Sequence, residues 1–487
     1  MTVKRIVIVG GGFSGASAAV QLARKIAQPL EITIVEPGEE VGRGLPYSTG
    51  DPVFRLNAIA GAHSIDPADP AHFIEWCAAQ DLRGSDPNAY APCGQPFARR
   101  RDYGRYLAET VLEHAEMPSG TTIVHRRARV HAIEIGAEAI AVTLDDASVL
   151  AADRTILATG NPAPRVPAIL AGELAGHPAV CANPLAEGMG GIAQGARVLV
   201  VGAGLTALDM VASLVERGHA GSISVMSRRG LRPRPQPPAI LSPLPDPPPP
   251  PVIPLELLEG ELPGYAQAEP LTARGLLCGL RAAIREAEAA GEPWQSAFDA
   301  IALPLSRIWP RLAVEEKRRL LRHARAFYDA FRFRTPPMTE AIVRTAERQG
   351  QVEYRTATLA GAKPLADGGI EVRLCLPGGE CTAEHFDVLV NCTGLDQAGA
   401  AERHPLLKRL VGQGHLTPHP TGLGVTTDAE CRAVASDGRS EPRLRVIGPP
   451  TAGMFGDPLG VFFISAQIHR IIPSLAEELA GITSPAS

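Results

Sequence analysis

The chain has 487 residues, 45% of them apolar and 20% charged, which is too long for one ordinary domain and enough to bury two or three cores. A formal net charge of -5 gives no general attraction to nucleic acid or to an anionic membrane. No uninterrupted apolar run reaches the roughly twenty residues of a membrane span, and the opening residues lack a leader's apolar region and cleavage site, so a cytoplasmic protein is expected.

Residues 4–9 form a compact β-branched run suited to a buried parallel strand. Gly10-Gly11-Gly12 breaks it, residues 14–27 carry an Ala-rich helical pattern, and residues 31–35 read as a second buried strand. The three make a βαβ unit. Residues 121–153 alternate apolar and polar side chains as an antiparallel meander, which runs into Thr155-Ile-Leu-Ala-Thr-Gly160. Pro162, Pro164 and Pro167 then mark a crossing between domains.

The opening pattern returns at residues 197–201: a β-rich run, a Gly-rich turn, a helix to about Arg217, and a strand at 223–226. Residues 231–254 are Pro-rich, with five consecutive prolines at 247–251, which excludes a helix or a central strand. An extended surface loop is expected, serving as a structural insertion or a docking segment. Helices are expected at 272–290, 314–332 and 339–349, and a second meander at 351–387 that ends in Val388-Leu-Val-Asn-Cys-Thr-Gly394. A short strand at 444–448 and an apolar helix at 460–479 close the chain. The repeated order predicts an α/β protein with two Rossmann-like dinucleotide-binding domains, β-meanders and a helical insertion.

The first Gly-rich turn reads Gly10-x-Gly12-x-x-Gly15. Gly10 allows the tight turn, Gly12 lets backbone approach a pyrophosphate, and Gly15 lets the helix pack on the strand. The helix N-terminus offers free N–H groups and partial positive charge to phosphates. Glu36 ends the next strand, where a carboxylate accepts from ribose hydroxyls. FAD is the expected occupant, held by Gly10, Gly12, Phe13, Ser14, Gly15 and Glu36, with Thr159 and Gly160 returning to the turn. The second turn reads Gly202-x-Gly204-x-x-Ala207, with Leu205 and Thr206 between. Its acid position holds Ser227-Arg228-Arg229, and arginines there accommodate the 2′-phosphate of NADPH. Thr393 and Gly394 repeat the Thr-Gly return. Asp209 follows the turn in the helix and could serve the dipole.

The chain resembles the two-dinucleotide-binding-domain flavoproteins. Within them it is similar to an uncharacterised bacterial FAD/NAD(P)-binding family with a Gly-Arg-Gly-Leu-Pro-Tyr-Ser signature, here Gly42–Ser48. The likeness continues at Arg55-Leu-Asn57, Pro70-x-x-Phe73-x-x-Trp76 and Tyr103-Gly-Arg-Tyr-Leu107. It resumes at Gly204-Leu-Thr-Ala-Leu-Asp209, Ser227-Arg-Arg-Gly230, Pro336-Pro337 and Asn391-Cys-Thr-Gly394. It implies an FAD domain built from residues 1–165 and 393–487, with an NADPH domain of residues 166–392 inserted. The plan also resembles that of flavin monooxygenases, including those that N-hydroxylate amino acids. The Phe-x-Gly-x-x-x-His motif of one monooxygenase class is absent near 163–200, and Phe455-Gly-Asp457 stands where relatives carry a Phe-Trp-Glu-like stretch.

Other candidates carry two readings each. Arg43 could hold the FAD pyrophosphate, hold a substrate anion, or stabilise its turn. Asn57 could face the flavin or cap a turn, and Asp457 could accept from a ribityl hydroxyl or cap a helix. Arg99-Arg100-Arg101 reads as a solvated loop rather than an anion site, and His63 and His72 as loop histidines. The eight cysteines show neither CxxC nor zinc spacing, so reduced, mostly buried thiols are expected, with no metal site and no disulfide-reductase centre. The leading expectation is an FAD- and NADPH-dependent monooxygenase using O2 on a small polar metabolite, by N-oxidation of an amine or amino acid. An NADPH-dependent reductase or dehydrogenase, and a non-catalytic flavin-binding sensor or interaction protein, are the alternatives.

Overall fold

A computed structural model describes residues 3–243, 252–394, 399–456 and 460–481. In chain order, the first half contributes strands β1 (Lys4–Val9), β2 (Leu30–Val35), β3 (Thr122–Arg126), β4 (Val130–Ile135), β5 (Ile140–Leu144), β6 (Val149–Ala152) and β7 (Arg154–Leu157). The middle contributes β8 (Val180–Cys181), β9 (Val198–Val201), β10 (Ile223–Ser227), β11 (Val352–Thr356), β12 (Thr358–Pro364), β13 (Ile370–Cys375), β14 (Cys381–Phe386) and β15 (Val388–Asn391), and the C-terminal end β16 (Arg432–Val434) and β17 (Ser440–Val446).

Two sheets are parallel at their centres. The first has the order β16-β17-β7-β1-β2-β3, with β16 antiparallel at its edge; the second has the order β11-β10-β9-β15-β8 and is parallel throughout. Each carries an antiparallel three-stranded companion, β4-β5-β6 or β12-β13-β14. The duplication predicted from sequence is visible as topology: β7 follows its meander to lie beside β1, and β15 follows its own to lie beside β9. β17, from the far end of the chain, pairs with β7.

The helices that matter for the site are α1 (Phe13–Lys25), α2 (Arg100–Glu113), α3 (Leu205–Glu216), α4 (Ala273–Ala289), α5 (Trp294–Ala302), α6 (Val314–His323), α7 (Arg325–Arg332), α8 (Pro337–Arg348) and α9 (Val461–Leu479). β1 and β9 read Lys-Arg-Ile-Val-Ile-Val and Val-Leu-Val-Val because both faces of a central parallel strand are covered. Ile6, Ile8, Val198, Leu199 and Val200 are fully buried. α1 and α9 pack on one face of the first sheet in a core with Ile6, Leu22, Ile468 and Leu475.

Five expectations need correction. Residues 122–126 and 352–356 open the two presumed meanders, yet β3 pairs parallel with β2 and β11 parallel with β10. A half-buried edge strand alternates like a meander strand, so periodicity alone does not separate them. The helix expected at 314–332 divides into α6 and α7 at Ala324 (φ -108°, ψ -21°). α5 adds a further helix to the expected helical insertion. One helical turn, Pro238–Leu241, lies inside the predicted loop; residues 244–251, with all five prolines, are outside the described residues. Finally, Cys375 and Cys381 form a disulfide with Cα atoms 4.1 Å apart. The β13–β14 register sets these two residues directly opposite, a pairing invisible in the cysteine spacing.

Candidate functional site

The first Gly-rich turn joins β1 to α1. Gly10 has φ +103°, and a Cβ there would meet the Ala158 carbonyl oxygen at 2.5 Å; at Gly15 it would lie 2.0 Å from the Gly10 oxygen. Those two glycines are demanded by the protein itself. Gly12 is different. Its backbone is extended (φ -70°, ψ -167°), and an added Cβ would meet only the Gly44 Cα, at an ordinary 3.6 Å. Neither conformation nor internal packing requires glycine there, so the bare backbone leaves a cradle that any side chain would fill. α1 has no side-chain N-cap and no acidic residue in its first turn, which leaves its N-terminal N–H groups for an anion. Beside the turn the Thr159 hydroxyl is buried and has no hydrogen-bond partner among the described residues. This cradle and orphaned donor fit a pyrophosphate-containing cofactor.

Phe13 and Ser14 are buried at the head of α1, and Gly160, at φ +67°, has open space beside it. Glu36 follows β2 directly and accepts the Gly11 N–H at 2.8 Å and the Gly38 N–H at 2.9 Å, so its carboxylate is fixed against the turn. Arg43 is in an ion pair with Glu40 at 2.6 Å, which supports the turn-stabilising reading. The Asn57 carbonyl accepts from Gln236 at 3.1 Å, and its side chain makes no bond among the described residues. From the C-terminal end, Gly448 (φ +72°) comes so close that a Cβ would lie 2.5 Å from Ser14 Oγ. Gln467 of α9 accepts the Gly448 N–H at 2.8 Å and donates to Thr451 at 2.9 Å. Asp457 lies outside the described residues.

The second turn repeats this geometry. Gly202 has φ +111°, and its added Cβ would clash with the Cys392 carbonyl oxygen at 2.1 Å, as Gly10 does with Ala158. Gly204 again has extended backbone (φ -82°, ψ -170°) and nothing within 4 Å of an added Cβ. Leu205 and Thr206 open α3, and Ala207 is fully buried where Gly15 stands in the first turn. Ser227 ends β10, and Arg228 and Arg229 follow it exposed, with no ion pair among the described residues. Thr393 donates to Asn391 Oδ1 at 2.8 Å beside the irregular crossing segment at Arg165, and Gly394 has φ +96°.

Buried charges join the two units, and the sequence reading missed them. Arg100 is not solvated: it opens α2 and meets Asp209 of α3 at 2.9 Å, while its Nε donates to the Arg55 carbonyl. Asp209 is buried, and burial raises its carboxyl to about 6 against the opposing pull of Arg100. A second tie runs from Asp51 to Ser213 (2.5 Å) and Arg217 (3.0 Å). Arg99 pairs with the buried Asp86 at 3.0 Å, as does Arg55 at 2.8 Å. His63 is buried rather than exposed on a loop, and burial lowers its pKa to about 4, while His72 bonds the Tyr106 hydroxyl at 2.8 Å. The one available signal was the helical spacing after Arg99, with Tyr103, Tyr106 and Leu107 on one face.

Among the described residues, no group of three or more His, Cys, Asp or Glu could hold a metal, and no helix is long and apolar enough to cross a membrane.

Comparison with known proteins agrees with this geometry. The sequence model of an FAD-NAD(P)-binding family matches residues 7–162, the segment that holds β1, the first Gly-rich turn and the Thr159-Gly160 return. No curated protein matches in sequence. Among solved structures, an ornithine N-hydroxylase from Kutzneria sp. 744 superposes with TM-score 0.64 at 16% identity, over 98% of this chain and 100% of that one. L-lysine 6-monooxygenase from Pseudomonas syringae gives 0.64 at 17%, over 97% and 99%. A cadaverine monooxygenase from Erwinia amylovora, solved with FAD, gives 0.63 at 13%, over 99% and 95%. The chain shares their α/β fold along essentially its whole length.

Proposed function

We propose that the protein is an FAD- and NADPH-dependent monooxygenase that oxidises a small polar metabolite at an amine nitrogen. One observation carries the reading. Two Gly-rich turns, each with a glycine that only a closely approaching ligand explains, are held in a fixed relation by buried ion pairs, in a fold shared with N-hydroxylating flavoenzymes.

In this reading residues 1–165 and 393–487 hold FAD and residues 166–392 hold NADPH. The N–H groups at the head of α1 bind the FAD pyrophosphate across Gly12, Thr159 supplies a hydroxyl, and Glu36 lies where the ribose enters. Asp457, four residues before α9 in sequence, is the proposed acceptor for the ribityl chain. Across the seam, α3 presents its N–H groups to the NADPH pyrophosphate, and Ser227, Arg228 and Arg229 receive the 2′-phosphate. Bound flavin would supply the hydride acceptor and the oxygen chemistry. The chain's own contribution is to orient the two cofactors and to hold them with fixed dipoles. The Cys375–Cys381 pair sits on the β13–β14 hairpin, at neither turn, which supports oxygen transfer over a cysteine-relay mechanism.

The test is turnover of the FAD-loaded protein with NADPH and a panel of amines under isotopically heavy O2. Heavy oxygen in the product and amine-dependent NADPH consumption are expected. Product that forms equally well without O2 would sink the monooxygenase reading in favour of a reductase or dehydrogenase.

A further inference from the structure

We propose that Lys317 and His419 form a binding site for the carboxylate of a small acid, at the seam between the helical insertion and the loop that precedes β16. This goes beyond the cofactor reading and does not depend on it.

Lys317 lies on α6 and is only 5% exposed. Its ammonium has no hydrogen-bond acceptor and no carboxylate partner among the described residues. Glu316, beside it in sequence, is committed elsewhere: it accepts the Ala273 N–H at 2.7 Å and pairs with Arg319. The Trp309 ring centre is 5.9 Å from the ammonium, the outer limit of a cation–π contact. Burial pulls the lysine below its ordinary pKa, and no neighbouring carboxylate opposes that pull.

His419 supplies a second donor. It is 7% exposed, and its Nδ1 accepts the Thr421 N–H at 3.2 Å and lies 2.7 Å from the Thr421 hydroxyl. An Nδ1 that accepts a backbone N–H leaves the neutral ring's proton on Nε2. Burial and the nearby Lys317 lower the histidine to about 4, so the ring is neutral near pH 7. Its Nε2–H has no acceptor among the described residues.

The donors are held rigidly. Arg318 binds the Pro420 carbonyl at 2.6 Å, the His419 N–H donates to Gly424 O at 3.1 Å, and Trp309 donates to Gly453 O at 2.9 Å. A Cβ at Gly453 would lie 2.2 Å from the His419 ring, so the turn is closed against it. An ammonium with so little access to water and no partner among the described residues is costly. A carboxylate would supply one negative charge and two acceptor oxygens, matching one cation and one neutral N–H. A phosphate dianion would bring more charge than the site can neutralise.

The purified full-length protein is titrated calorimetrically with sodium acetate and sodium succinate at constant ionic strength, with sodium chloride as control. Saturable one-to-one binding by a carboxylate is expected, weakened at least about tenfold by Lys317→Met and retained by His419→Gln, which keeps a donor. A second measurement needs no variant. The chain has five lysines, so labelling with an amine-reactive reagent can be read at each by mass spectrometry; acetate should slow labelling at Lys317 and leave Lys363 unchanged. Absence of saturable binding, binding undiminished in Lys317→Met, or labelling at Lys317 indifferent to acetate would overturn the site. Comparing L-lysine with cadaverine identifies the acid's source. A Lys317→Met effect on KM for L-lysine alone assigns the site to substrate, and acetate binding without such an effect assigns it to a separate acid. Failure of every amine to turn over would defeat the monooxygenase reading and leave the binding result standing.

Discussion

Arg100 Nη2 and Asp209 Oδ2 lie 2.9 Å apart, and that bond ties α2, in the segment that carries the first Gly-rich turn, to α3, whose N-terminus forms the second. The aspartate is buried and the arginine side chain largely so. The geometry of any transfer between the two sites therefore depends on a charge pair shielded from solvent.

Arg100→Met removes the cation and leaves a buried carboxylate alone. A loss of roughly 3–5 kcal/mol in unfolding free energy is expected, read by urea titration. Asp209→Asn, which keeps an acceptor for Arg100, is expected to cost less.

Asp209 also predicts a pH dependence. Its folded-state pKa is raised to about 6 from 3.8, chiefly by burial, so the folded protein holds this proton more tightly than the unfolded chain does. The site's contribution to stability is therefore greatest below the unfolded value, falls as pH rises through the window from about 4 to 6, and is constant above it. Unfolding titrations across that window should give a steeper decline in the parent than in Asp209→Asn. Equal slopes would contradict the assignment.

The glycines divide into two kinds that mutagenesis can separate. Gly15→Ala puts a methyl 2.0 Å from the Gly10 oxygen and Gly202→Ala puts one 2.1 Å from Cys392 O, so both should fail to give folded protein. Gly204→Val meets nothing of the chain at its Cβ, and Gly12→Val has only Gly44 at 3.6 Å. These two should fold, judged by circular dichroism. Gly12→Val should purify colourless, and Gly204→Val should keep its flavin and lose NADPH.

Arg228→Ala combined with Arg229→Ala should raise KM for NADPH about ten- to a hundredfold while NADH is little changed, since charge-assisted bonds to the 2′-phosphate are lost. Unchanged preference between the two nucleotides would refute the assignment.

The disulfide closes a loop of only six residues in sequence separation. Cys375→Ser with Cys381→Ser should lower stability by no more than about 2 kcal/mol and leave NADPH-dependent flavin reduction intact. Loss of flavin reduction would return the cysteine-relay mechanism to consideration.

Much of this was legible in the chain. The β-branched runs at 4–9 and 197–201, each broken by glycine, revealed two parallel-sheet units because buried central strands need apolar side chains on both faces. The Thr-Gly returns at 159–160 and 393–394 revealed their duplication. What stayed hidden depends on partners distant in sequence. Arg100 reads as a solvated arginine until α3 brings Asp209 against it, and Cys375 and Cys381 look unrelated until a hairpin register sets them opposite. Lys317, in a run of charged residues on α6, gave no sign that it would be buried.

The proposed function requires that two dinucleotides meet in this chain and that electrons pass from NADPH to flavin. The most direct measurement is to mix the FAD-loaded protein with NADPH in the absence of oxygen and follow the flavin absorbance. Bleaching that saturates with NADPH, and is markedly slower with NADH, is predicted. A flavin that stays oxidised in the presence of saturating NADPH would contradict it.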